Sequence, residues 1–311
     1  MKKILVIGSN GQLGIELLTA LRDKFGSKNV ISSDINAPSN ADTYFEKLDA
    51  RDAISLTSIV EKHEINHVYH LAAILSANGE LNPISSWEVN MKTLLNVLEL
   101  GRKGVIERIF WPSSIAVFGR DTPKDHTDQK ALTNPSTVYG ISKLAGEKWC
   151  QYYFEKFGVD VRSIRYPGLI SHKVKPGGGT TDYAIDIFFK AVSGTPYDCF
   201  LHADTSLPMM YIDDAVKGTL MLMEAPSQKL TIRTSYNLNA TSFSPAELTA
   251  EIKKQIGSLQ VQYKPDHRQL IAETWPRSID DQPARLDWGW KEAYGLPQIT
   301  SEMISALRIK K

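Results

Sequence analysis

Cysteine is nearly absent from this chain of 311 residues: only Cys150 and Cys199 are present. They stand far apart, with no CxxC pair and no Cys/His spacing of a zinc site, so no metal centre is expected. Two isolated thiols also exclude a disulfide framework and fit reduced side chains in the cytoplasm. Long apolar runs are missing too. No stretch approaches the ~20 residues that span a bilayer. The opening MKKILVIGSNG has an apolar run too short for a secretory signal and lacks the Arg/Ser-rich character of a transit segment. Charge of one sign is missing as well: 36 Lys and Arg against 35 Asp and Glu leave a net charge of +1. No strong field is therefore available to recruit nucleic acid or anionic lipid. Repeats and low-complexity tracts are absent. What remains is an ordinary globular composition, 42% hydrophobic and 23% charged, long enough for one large domain or two unequal ones.

What is present begins at the amino end. Lys3 to Ile7 is a continuous apolar run, as expected of a buried parallel strand, and GSNGQLG follows at 8–14 before a helical stretch from Ile15 to Phe25. In this spacing Gly8 turns tightly, Gly11 lets a pyrophosphate approach the backbone, and Gly14 lets helix pack on strand. The helix amino end then faces the phosphates, so strand, glycines and helix in this order predict dinucleotide binding. A second strand, Asn29 to Asp34, ends on an acid placed to accept hydrogen bonds from the adenosine ribose. A carboxylate there repels a 2′-phosphate, and no Arg follows among Ile35, Asn36 and Ala37; NAD is expected rather than NADP.

Asp52 is expected to cap a helix over 53–63, with Asp49 at the adenine edge. A third strand from His67 runs into Leu71, Ala72 and Ala73, where small side chains let a cofactor come close. His63, His67 and His70 are not read as a metal cluster, because His67 and His70 have opposite parity in a strand. Pro83 to Arg102 reads as a long helix with Asn82 as its cap and Asn90 inside it. A fourth strand, Glu107 to Trp111, runs into Pro112, Ser113 and Ser114. A polar loop over 119–133 follows, and Pro135 is expected to open a helix reaching Phe157. Val159 to Tyr166 is a further strand, ending in Pro167 and Gly168. This alternation predicts an α/β fold, a Rossmann-type doubly wound parallel sheet, with an NAD-binding domain over 1–168 and a smaller α/β substrate lobe over 169–311.

Tyr139 and Lys143 lie four apart on that last long helix, hence on one face. An ordinary Tyr titrates near ~10. A fixed positive charge nearby favours the phenolate, and a cationic nicotinamide ring would favour it further. Such a Tyr is suited to take a proton from a substrate alcohol while hydride leaves the same carbon.

Taken together, GSNGQLG, HLAA at 70–73, PSSIAVFG at 112–119, YGISK at 139–143, RYPG at 165–168 and YIDDA at 211–215 resemble the extended short-chain dehydrogenase/reductase superfamily. The match covers nearly the whole chain. The resemblance implies catalysis by Ser114, Tyr139 and Lys143, with Ser114 on the substrate oxygen and Ser113 its adjacent alternative. Lys143 would hold the nicotinamide ribose. It assigns Asn90 near the site and Tyr166, Pro167 and Gly168 beside the nicotinamide. Gly8, Gly11, Gln12, Leu13, Gly14, Asp34, Asp49, Leu71, Ala72 and Ala73 would line the remainder of the NAD groove. It also implies that some C-terminal strands rejoin the main sheet, and that helices 83–102 and 135–157 pair with their mates in a homodimer.

Many members of the superfamily act on nucleotide sugars. Here the stretch before Tyr211 lacks their Arg-Asp pair, although Arg233, Arg268, Arg277 and Arg285 remain available to a pyrophosphate. GGGTTDYA at 177–184, FSPAEL at 243–248, PDHRQLIAETWPRSIDD at 265–281 and ARLDWGW at 284–290 instead resemble the short-chain type of L-threonine 3-dehydrogenase. That resemblance implies NAD-dependent oxidation of the threonine β-hydroxyl to 2-amino-3-ketobutyrate. Ser76, Thr180 and Thr181 would bind the small amino acid, and Gly178 would allow a loop to close over it. Trp275 is a candidate substrate-side residue, though with Trp288 and Trp290 it reads first as a packing residue. The alternatives are a nucleotide-sugar epimerase or dehydratase, or a non-catalytic NAD sensor on the same fold.

Overall fold

In the computed structural model, residues 2–175 and 177–309 are described; Met1, Pro176, Lys310 and Lys311, which fall within the two expected domain ranges, lie outside them. The twelve strands described are β1 (Ile4–Ile7), β2 (Val30–Asp34), β3 (Phe45–Lys47), β4 (His67–His70), β5 (Arg108–Ser114), β6 (Asp160–Tyr166), β7 (Gly168–Ile170), β8 (Tyr197–Cys199), β9 (Leu207–Tyr211), β10 (Tyr236–Asn237), β11 (Thr241–Phe243) and β12 (Val261–Tyr263). The helices are α1 (Gln12–Phe25), α2 (Ala53–Lys62), α3 (Ser76–Leu81), α4 (Pro83–Arg102), α5 (Val138–Phe157), α6 (Tyr183–Ser193), α7 (Ile212–Glu224), α8 (Pro245–Lys253), α9 (His267–Ala272), α10 (Gln282–Trp288) and α11 (Leu296–Ile309).

Seven strands form one sheet in the order β10-β6-β5-β4-β1-β2-β3, and every neighbouring pair is parallel. This is the expected Rossmann arrangement. The order reverses direction between β1 and β4, which opens a crevice at their carboxyl ends, where open α/β sheets bind ligands. Ile4 to Ile7 are almost wholly buried, as a strand covered on both faces must be. One face of the sheet packs on α2, α4 and α5 through Leu56, Leu94, Val97, Leu98 and Tyr153; the other packs on α1 and α7 through Leu17, Leu21 and Leu222. Each such side chain contributes roughly 1.5–3 kcal/mol by leaving water. Past Gly168, a three-stranded sheet (β11-β9-β7) and a parallel pair (β12-β8) form beside the groove. β10 crosses back to join β6.

Several boundaries differ from those read in the sequence. α1 begins at Gln12, directly after Gly11, so the helix starts where the glycine turn ends. β5 continues through Ser114, pairing Ser113 with Arg165 and Ser114 with Tyr166. α5 does not open at Pro135: Thr137 is its cap, its hydroxyl accepting from Gly140 N at 3.1 Å. Asn82 sits at the cap position of α4, with Pro83 at the first helical position, and makes no side-chain cap bond. Asp52 does cap α2, accepting from Ile54 N and Ser55 N, and Ser244 with Glu247 forms a full capping box on α8. The short strand β3 and the short helices α3, α9 and α10 escaped the sequence reading, being too brief to carry a period. Among the described residues, no helix is long and apolar enough to cross a membrane.

Candidate active site

The groove runs along the carboxyl edge of the sheet in two connected parts. One, about 380 Å³, is lined by Gly8, Gly11, Asp34, Asp49, Leu71, Ala72 and Ala73, together with Arg51, Val89 and Thr93. The second, about 260 Å³, contains Gln12, Leu13, Gly14, Ser76, Ser113, Ser114, Tyr139, Lys143, Tyr166, Pro167, Gly168, Thr180, Thr181 and Trp275. Residues spread over some 270 positions of sequence therefore meet at one edge. Two expected residues line neither part. Asn90 is buried in α4, its amide accepting from Ile74 N at 2.8 Å and donating to Ser142 Oγ at 3.2 Å. It ties the loop after β4 to α5. Gly178 lies just outside, with φ +91° and its N–H donated to Asp182 at 2.9 Å.

The amino end of α1 forms the floor. Gly8 has φ +84°, and a Cβ there would lie 2.7 Å from Ala72 N; a Cβ on Gly14 would lie 2.3 Å from Gly8 O. Both positions therefore demand glycine. A Cβ on Gly11 would meet only Gly8 O, at 3.4 Å, so its outer face is open. α1 has no side-chain cap and no acid in its first turn, which leaves its amino-end N–H groups for an anion. These features fit the pyrophosphate of NAD. At the other end, Asp34 accepts from Asn10 N at 3.1 Å and Asn36 N at 3.3 Å, which aims its carboxylate along the groove. Asp49 is bound by Arg51 at 2.5 Å. That ion pair keeps the nearest guanidinium engaged, and the Arg51 hydrogen bonds, with its charge, hold the Asp49 carboxyl below its ordinary range.

The catalytic candidates converge because α5 lies directly on the backbone beyond β5. A Cβ on Gly140 would lie 2.1 Å from Ala116 O, so only glycine permits this approach, and the neighbouring Tyr139 is brought to Ser114. Strand alternation separates the two serines. Ser113 turns to the buried Glu147 and donates to it at 2.6 Å, whereas Ser114 hydrogen-bonds Tyr139. Lys143 is buried, its Nζ donating to Pro112 O at 2.6 Å and lying 5.4 Å from the Tyr139 ring centre.

The electrostatics differ from the sequence expectation of a depressed phenol. Burial pushes Tyr139 up to about 12, and the Ser114 hydrogen bond offsets only part of this. Burial likewise lowers Lys143 to about 7, with Glu147 pulling the other way. Removal from water disfavours either charge on its own, and this outweighs the proximity that the four-residue spacing supplied.

Three features were not found in the sequence. Asp182 lines the smaller cavity; it is mostly buried, accepts from Gly178 N and Gly179 N, and burial raises its carboxyl. Its signal was its place directly after Thr181. Ser76 and Thr180 hydroxyls lie 3.2 Å apart across the cavity. Behind β5, Glu147 is held by Arg165 through two hydrogen bonds of 2.7–2.8 Å, and Arg165 also reaches Gln129 and Asn237. The histidines have structural partners: His63 meets Glu46, His67 meets Asn66 and His70 meets Thr93. Among the described residues, no group of three His, Cys, Asp or Glu is placed to hold a metal.

The match to the family model for NAD dependent epimerases/dehydratases spans residues 4–238, and the chain belongs to that family, whose cofactor is NAD. Among solved structures, a GalE-like L-threonine dehydrogenase from Cupriavidus necator is 55% identical, with TM-score 0.96 over 98% of this chain and 99% of that one. A monomeric L-threonine 3-dehydrogenase of metagenomic origin is 50% identical, with TM-score 0.96 over 99% of both chains. An uncharacterized epimerase/dehydratase of Staphylococcus haemolyticus is 44% identical over all of this chain and 99% of its own.

Removing the ribose partner tests the cofactor end. Asp34→Ala is expected to weaken NAD binding by about 10–100-fold, the scale of lost charge-assisted hydrogen bonds, and to narrow the preference over NADP. Titration calorimetry with both dinucleotides reads this. Unchanged NAD affinity would remove Asp34 from the ribose site.

Proposed function

We propose that this enzyme oxidises L-threonine at its β-hydroxyl to 2-amino-3-ketobutyrate, using NAD. The observation that carries this reading is the chemistry of the smaller cavity. Its lining holds one carboxylate, Asp182, one lysine, Lys143, and the hydroxyls of Ser76, Ser114, Thr180 and Thr181, but no arginine. That set suits a small zwitterion. Asp182 faces the ammonium, and Ser76, Thr180 and Thr181 hydrogen-bond the carboxylate. A nucleotide sugar would need cations for its pyrophosphate, yet the four candidate arginines are engaged elsewhere. Arg233 holds Ser227, Arg268 holds Asp266, Arg277 holds Asp125, and Arg285 holds Asp281 and Glu292.

Bound NAD supplies the hydride acceptor and a positive charge beside the phenol. Ser114 hydrogen-bonds the substrate β-oxygen and Tyr139 takes its proton. Lys143 opposes the burial that holds the phenol high. Apolar walls keep water from the reacting carbon. The glycine floor and Asp34 hold the cofactor, and the segment after Gly168 supplies Thr180, Thr181, Asp182 and Trp275 to the substrate, beside Ser76, Ser114 and Tyr139 from the first part of the chain. Free, buried Cys150 and Cys199 favour a reducing cytoplasm.

The test is NADH formation on adding L-threonine and NAD to EDTA-treated enzyme. Threonine-dependent absorbance is expected. Silence from a protein that purifies with stoichiometric NAD would instead support a nucleotide-sugar epimerase or dehydratase.

A homodimer belongs to the same proposal. Leu81 at the end of α3, Ile84 and Trp87 at the start of α4, and Ile141, Trp149 and Tyr152 on α5 are exposed apolar side chains on neighbouring helices. Light scattering is expected to give twice the 34.7 kDa chain mass. A monomer mass across working concentrations would refute pairing through these helices.

A further inference from the structure

Lys124 lies in the polar loop after β5, and its ammonium does not pair with an acid. It donates to three backbone carbonyls: Gly119 O at 3.3 Å, Thr274 O at 2.8 Å and Trp275 O at 3.3 Å. Gly119 ends the turn that leaves Ser114, while Thr274 and Trp275 form the exit of α9. One cation therefore joins the catalytic strand's exit to the segment that carries Trp275. The join continues through the backbone only beyond this point. Arg277 N and Ser278 N donate to Lys124 O at 2.7 and 3.1 Å, and Thr127 N and Ser278 O pair at 3.0 Å. Between lies Pro276, which has no N–H to contribute, so at Trp275 itself the Lys124 side chain makes the grip across to the catalytic loop. Carbonyls at a helix end welcome a cation. Trp275 is almost wholly buried and lines the smaller cavity alongside Ser114, Tyr139 and Thr180.

We infer that Lys124 is a positioning residue for substrate selection: by holding the Thr274 and Trp275 carbonyls against the Gly119 turn, it fixes the Trp275 indole as the wall that limits the substrate's β-alkyl chain. This rests on the β-hydroxy amino acid reading above. With the wall fixed, a β-methyl group fits and a β-ethyl group meets the indole. With the grip lost, the wall recedes, and threonine loses packing while the longer homologue gains room.

The experiment compares kcat/KM for L-threonine and 3-hydroxynorvaline, one methylene longer at the β carbon, in wild type, Lys124→Met, Lys124→Arg, Trp275→Ala and the Lys124→Met/Trp275→Ala double variant. One methylene in an apolar pocket discriminates by about 10–200-fold, so wild type is expected to prefer threonine by at least about tenfold. Trp275→Ala should cut that preference about tenfold, and Lys124→Met about three- to tenfold in the same direction, chiefly through KM for threonine. Affinity for NAD should stay within about twofold, and Lys124→Arg should restore the preference. Because Lys124 acts through Trp275, the double variant should match Trp275→Ala alone. Lys124→Gln, which keeps donors but shortens the reach, covers the case in which Lys124→Met does not fold, with an expected loss of about threefold. Preserved selectivity in Lys124→Met or Lys124→Gln, or a loss that adds to that of Trp275→Ala, would overturn the assignment and leave Lys124 a structural clamp. A wild type inert towards threonine but not towards other substrates would instead overturn the functional reading on which the inference stands.

Discussion

Tyr139→Phe is expected to lower kcat by about 10³-fold, within the 10²–10⁴ that general acid–base catalysis contributes, while NAD affinity stays within about twofold. The phenol touches Ser114 but carries no packing that Phe lacks, so the variant removes one hydroxyl and little else. The pH dependence follows from the same geometry. In the proposed mechanism the reactive form has Tyr139 ionised, so kcat/KM is expected to rise with pH, about tenfold per unit below the apparent pKa. Burial, offset in part by Ser114, pushes that phenol up to about 12, and burial lowers the neighbouring Lys143 to about 7. In the proposed mechanism the Lys143 charge favours the phenolate. Lys143→Met removes the cation that favours phenolate, so the rising limb should move to higher pH and activity near neutrality should fall by about 10²-fold or more. A Tyr139→Phe enzyme with wild-type turnover, or a Lys143→Met limb at its original position, would remove this pair from the chemistry.

Arg165→Met is expected to cost about 3–5 kcal/mol, because it strands the Glu147 carboxylate in the core. The ion pair is inside: the Arg165 side chain is 5% exposed and that of Glu147 1%. Its loss also removes partners from Gln129 O and Asn237 Oδ1. At about 2–4 °C per kcal/mol, calorimetry should find a melting temperature lower by roughly 6–20 °C. Adding Glu147→Gln should recover much of the loss, since the stranded charge, not the missing attraction, dominates the penalty. If the single variant melts within about 2 °C of wild type, Glu147 has found another partner or a proton, and the buried pair is not what fixes β5 against β6.

Much of the nucleotide half was legible because its signals are local. The glycine spacing, the acid at the end of β2 and the strand–helix alternation each depend on neighbours within a few residues, and the Asp52 cap follows from chemistry two and three positions away. Tyr139 and Lys143 were legible by the same token, four apart on one helix. The choice between Ser113 and Ser114 was not. It depends on which face of β5 meets α5, and that face was set by Gly140 lying on Ala116 and by Glu147 drawing Ser113 away. The burial of the phenol was not legible for a similar reason: spacing reveals the lysine, but burial is a property of everything packed around both groups.

By itself, the sequence determined the parallel sheet and NAD as the cofactor, and it supplied the candidate residues proposed here for the site. All of these rest on short-range patterns of side-chain size and period. At the substrate end the resemblance pointed to Ser76, Thr180, Thr181 and Trp275, and only the tertiary structure brought Asp182 to the same cavity. Ser76, Asp182 and Trp275 come from three separate segments, and nothing local to any of them shows that they share a cavity. Folding also engaged the four C-terminal arginines in ion pairs and hydrogen bonds away from the groove. That choice sets the charge of the pocket, because a guanidinium already bound to a carboxylate or carbonyl is no longer free to meet a phosphate.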